Sequence, residues 1–76
     1  MRTREIVEVT WHDTTHWKGW RRADEGEPST SESRSVGYVV RRNRAIVALA
    51  QSWSEENNIA DVLVIPRPMV RSIRRL

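Results

Sequence analysis

Short runs of β-branched and other apolar residues, each ended by polar, glycine or proline positions, restrict this chain to a small, mainly β fold. The first run alternates: Val7, Val9 and Trp11 interleave with Glu8 and Thr10, the period-two pattern of a half-buried strand, with Ile6 on the outer face. Val36-Gly37-Tyr38-Val39-Val40 is a second strand. The polar turn Arg41-Arg42-Asn43-Arg44 then leads into Ala45–Ala50, a third strand that closes a hairpin. Ser54–Asn58 is a polar tip, and Val62–Ile65 is a fourth strand. Pro66 and Pro68 stop it, because proline cannot donate to a ladder, and they suit a short 3₁₀ turn. Val70–Leu76 is the last strand; if it is regular, Val70 and Ile73 face opposite ways.

Residues 12–35 form a long polar segment with no surviving period. It holds Gly19, Gly26, Pro28 and the run Ser29–Ser33. A loop of that length in a small domain is commonly functional or disordered. Trp17 and Trp20 interrupt it; three apart, they could share one face of a helical turn, but a fold back as a cap on the open end of a barrel is favoured.

One segment supports a competing assignment. Ile46, Leu49, Ala50 and Trp53 also fall at i, i+3, i+4 and i+7, the stripe of an amphipathic helix, and Asn43 could cap it. The alternative fold is therefore α+β with a helix at about 43–54. Adjacent Ile46 and Val47, and the short turn before them, favour the strand.

Taken together, residues 1–76 are expected to make one domain. The pattern resembles the SH3-like and Sm-like small five-stranded barrels with a long first loop. Val7-Glu8-Val9, the hairpin Val36–Ala50 and the segment Ile65–Ile73 carry the likeness, over about half of the chain. The Asp/Asn and Arg-Gly signatures with which the Sm families hold RNA are missing, so that site is not transferred. The stretches Ser35–Val40, Ile46–Ser52 and Asp61–Leu76 are similar to small bacteriophage and prophage proteins of unknown function. That likeness implies no particular activity, and it would put the chain in a host bacterial cytoplasm.

A domain this short buries only about 60% of the surface its unfolded chain exposes. With no cysteine there is no disulfide and no thiolate zinc site to staple it. Ile46–Ala50 and Val62–Ile65 are apolar on both faces, although a strand of a lone small barrel should show one face to water. A homo-oligomer is the expected cover. No apolar run approaches the length of a membrane-spanning helix, and the N-terminal residues lack a signal-peptide core, so a cytoplasmic location is expected.

Catalytic chemistry finds little support. His12 and His16, with Asp13 between them, are four apart and could share a metal only if helical, and the glutamate of a helical zinc motif is absent. Ser29, Ser31 and Ser33 lie in a low-complexity tract with no nucleophile elbow. The three glycines are isolated, so no phosphate loop forms. Asp24, Glu25 and Glu27 are crowded together and expected to be solvated. No enzyme, catalytic residue, metal or cofactor is expected.

Arginine supplies the remaining signal. Of 13 basic residues, all but Lys18 are Arg. Six basic and seven acidic residues precede Val36; seven basic and three acidic ones lie from it onward, which puts +4 on the C-terminal half against −1 before it. Guanidinium groups make planar, bidentate contacts to phosphate, and aromatic rings stack on bases. Arg41, Arg42, Arg44 and Arg71, with Tyr38 and Trp53 as stacking rings, are the candidate ligand-binding residues. The expected partner is an anionic ligand such as RNA, single-stranded DNA or a nucleotide. One version, which the phage likeness implies, is an anti-defence sponge that sequesters a nucleotide signal of host immunity. The alternatives are a module that docks on a host protein through the acidic, Trp-containing loop, and a structural assembly component.

Overall fold

The computed structural model describes residues 4–14 and 18–76. Five strands, β1 (Ile6–Asp13), β2 (Ser31–Arg42), β3 (Ile46–Trp53), β4 (Ile59–Pro66) and β5 (Val70–Arg75), form one antiparallel sheet in the order β4-β3-β2-β1-β5. A single 3₁₀ turn, Arg67–Met69, follows the Pro66 stop as the two prolines imply. The fold is thus mainly β, a small barrel-like sheet in which the last strand returns beside the first. Among the described residues no ladder joins β4 to β5, so both remain edge strands.

The helix considered for 43–54 is not formed. Ile46–Trp53 pairs on both sides, with Val39 opposite Leu49 in β2 and Leu63 opposite Leu49 in β4. Two ladders satisfy the backbone of β3, and β-branched Ile46 and Val47 pack well on a pleated surface. Asn43, weighed as a helix cap, builds the β2–β3 turn instead. Its Oδ1 accepts hydrogen bonds from the backbone N–H of Ala45 at 2.8 Å and of Ile46 at 2.9 Å. Asn43→Ala should cost about 1 kcal/mol by losing these bonds, a drop of roughly 4–8 °C in a thermal melt, whereas Asn43→Asp keeps an acceptor oxygen for both bonds and should melt near the wild type.

The polar segment is shorter than the sequence suggests. β2 begins at Ser31, and the ladder from Ile6–Tyr38 runs unbroken to Asp13–Ser31, so 12–13 and 31–35, expected in the loop, are strand. Serine and glutamate here line an exposed ribbon, where hydrophobic period is no guide to a strand. The ribbon and loop stretch the molecule to 57 Å by 22 and 20 Å. Residues 18–30 are exposed, and Trp20 is wholly so at 103%; it does not cap the barrel. Trp17, the other half of that expectation, lies outside the described residues.

The core is small. Val7, Val9, Val47, Leu49 and Ile65 form its buried cluster, and Trp11, Val39, Met69, Val70 and Ile73 pack around them. Val70 and Ile73 both reach it, against the alternation expected of β5. A register shift between Thr10 and Trp11 moves the Trp11–Val70 pair one step from the Val9–Ile73 pair, and such a bulge re-aims a side chain. Glu5, just before β1, pairs with two arginines. Its carboxylate takes Arg42 at 3.2 Å and Arg75 at 2.8 Å, while Glu8 pairs with Arg74 at 3.3 Å.

Candidate ligand-binding face

Residues directly opposed in an antiparallel ladder share a face. Ile6, Tyr38, Ala50 and Val62 therefore make one row across four strands, on the side away from Val7, Leu49 and Ile65. The neighbouring row is Arg41, Ala48 and Val64. Tyr38 and Arg41 thus belong to one surface, because the β2–β3 bulge between Val39 and Arg41 keeps both on it.

Tyr38 and Trp53, the two candidate stacking rings, lie in contact with each other. Their rings meet edge to face, with centroids 6.3 Å apart. Arg4, which that reading passed over, lies above Trp53 with its Cζ 4.4 Å from the ring centroid. Asn57 fastens the group: its Oδ1 accepts from Trp53 Nε1 at 2.7 Å and from Arg4 Nη2 at 3.2 Å. Asn57 sits in the β3–β4 turn at φ 66°, a conformation asparagine tolerates. One face of Trp53 is thereby taken by arginine, which leaves Tyr38 as the freer ring. Arg4 Nε is buried and has no hydrogen-bond partner.

An open cleft of about 520 Å³ is lined by Arg34, Val36 and Tyr38 and, from the Leu49 side of the sheet, by Leu49, Gln51 and Leu63. That size lies within the range of small-molecule sites. Arg34 is exposed and forms no ion pair among the described residues. It escaped the sequence reading because it lies in a serine-rich stretch, apart from both arginine clusters. A smaller hollow of about 370 Å³ lies between Arg4, Glu5, Ile6, Arg75 and Leu76, where Glu5 pairs with Arg75 and the Arg4 guanidinium is stacked on Trp53.

The remaining candidates disperse. Arg42 is held by Glu5. Arg44 sits in the β2–β3 turn, and Arg71 lies on β5, beyond β1 from the cleft in sheet order. Arg41, Arg44 and Arg71 are exposed and carry no ion pair among the described residues. His12 hydrogen-bonds Thr30 Oγ1 through Nδ1 at 3.3 Å; His16 lies outside the described residues, and among those described no cluster of His, Asp or Glu could hold a metal. No described helix is long and apolar enough to cross a membrane. Comparison with protein-family models, with curated proteins and with solved structures finds no match to this chain.

Proposed function

We infer that the protein is a non-enzymatic binding module that takes an anionic nucleic acid or nucleotide on the face around Tyr38 and works as a homo-oligomer. One observation carries this reading. A cleft of about 520 Å³ is lined by Tyr38 and by Arg34, an arginine without an acidic partner among the described residues, while Arg41, a second such arginine, lies outside the cleft on the Tyr38 face. Phosphate recognition needs uncompensated guanidinium groups, and base recognition needs an accessible π-face.

Titration with a short single-stranded RNA, a single-stranded DNA and ATP, followed by tryptophan fluorescence at low and high salt, tests it. Saturable binding that weakens with salt is expected for at least one probe. Arg34→Ala and Arg41→Ala should each weaken it several-fold. Arg42→Ala should change it less, because Glu5 already engages that guanidinium. No saturable binding by any probe would overturn the reading.

Docking on a partner protein is the second reading, favoured by the full exposure of Trp20 beside the acidic tract Asp24–Glu27. Deleting residues 19–29 separates the two, since nucleotide binding at the Tyr38 cleft should survive the deletion and protein docking should not.

A further inference from the structure

We propose that β4 is a self-association edge, at which two copies of this chain pair their β4 strands antiparallel across a two-fold axis and join two sheets into one. The inference deepens the homo-oligomer part of the reading above.

The two free edges of the sheet differ sharply. β5 carries Arg71, Arg74 and Arg75 over six residues. Two such strands side by side would set arginine against arginine, and positively charged edges are a common guard against unwanted pairing. β4 has no such guard. Val62-Leu63-Val64-Ile65 is free of charge, and Asp61, the one charged residue of β4, lies just before this run at φ 56°. Val62 is 43% exposed, Leu63 39% and Val64 53%, so apolar side chains are uncovered on both faces of the strand.

What covers β4 must satisfy two demands together. Its outer row of backbone N–H and C=O groups needs a strand, because only a strand offers matching donors and acceptors at this spacing. Its side chains need an apolar neighbour above and below the sheet. A second β4 meets both. An antiparallel register centred on Leu63 opposes the two Leu63 residues and sets Val62 of one copy against Val64 of the other. Such an interface is self-complementary, as two-fold symmetry requires. The loop 18–30 does not provide this cover, since all of it is exposed. Leu63 also walls the Tyr38 cleft, so the second strand would extend that wall at its open side.

Analytical ultracentrifugation at micromolar concentration gives the test. The wild type should sediment at twice 8.9 kDa. Val64→Lys, at the most exposed position of the run, should shift it to the single-chain mass with an unchanged circular-dichroism melt. Should that variant unfold, Val62→Thr with Val64→Thr keeps the branched shape while weakening the apolar contact, and should likewise lower the mass. Leu63→Cys adds a positional readout, because the chain has no other cysteine and a short bismaleimide should join two copies covalently. A wild type that stays single overturns the proposal. So does an assembly of three or more copies, which marks head-to-tail pairing of β4 with β5. A dimer that survives the substitutions, or one that Leu63→Cys fails to cross-link, also overturns it. Ligand titration is a separate measurement: a single chain that still binds nucleotide sinks only this inference, and a dimer that binds none sinks only the ligand reading.

Discussion

Ile65→Ala is expected to remove about 2–5 kcal/mol of stability, the range for truncating a fully buried Ile to Ala. Ile65 is wholly buried and joins Val7, Val9, Val47 and Leu49 in a cluster of only five side chains. A small domain has a total stability near the lower end of about 5–15 kcal/mol, so the loss approaches the whole. The position is also hard to relax. Ile65 lies opposite Val47 in the ladder with paired residues on both sides, Val64 opposite Ala48 and Pro66 opposite Ile46, so the backbone is held around the gap. Urea unfolding should show the variant largely unfolded or with a midpoint far below the wild type. Ile65→Val should fall between, at about 0.5–1.5 kcal/mol. Leu63→Ala, two residues away but 39% exposed, should cost much less than Ile65→Ala. Equal losses at 63 and 65 would mean that β4 does not bury one side chain and expose the other as described.

The contrast between Leu63 and Ile65 also marks how far the sequence could be read. Val7, Val9 and Trp11 announce β1 because alternation with Glu8 and Thr10 leaves one workable face. Pro66 and Pro68 announce the end of β4 and the 3₁₀ turn, although Pro66 still pairs with Ile46 as the last residue of the strand. Ser31–Ser35 give no such sign. Their strand is imposed by pairing with Val9–Asp13, a long-range contact without a local signature. Ile46–Trp53 is compatible with helix and strand periods alike, and the two flanking ladders decide for the strand. At the candidate site, the Tyr38–Trp53 pair was anticipated as two rings, but not their contact. Arg4 and Arg34 were missed, since composition points to clusters and these two are brought in singly by register. Arg42, one of the clustered residues, proves to be tied to Glu5, a partner 37 positions away that no local pattern reveals.

Gly37→Ala is expected to be nearly as damaging as a core truncation, for the opposite reason. A Cβ built at Gly37 would stand 2.8 Å from the carbonyl oxygen of Ala50 and 3.1 Å from Leu49 Cβ. The nearer atom belongs to the backbone of β3, so no side-chain rotation relieves the clash; β2 and β3 must move apart. Overpacking of this kind costs about 1–3 kcal/mol, with a drop of roughly 4–8 °C in the melt for each kcal/mol, and Gly37→Val should exceed it. Gly19→Ala is the matched control. Its φ of 79° disfavours a side chain, yet nothing lies within 4 Å of the added Cβ and the residue sits in an exposed loop. It should cost no more than about 1 kcal/mol, by conformation alone. Gly37 also lines the Tyr38 cleft, so a partly folded Gly37→Ala protein should lose ligand affinity while Gly19→Ala keeps it. If the two glycine variants melted together, the close approach of β2 to Ala50 would be refuted.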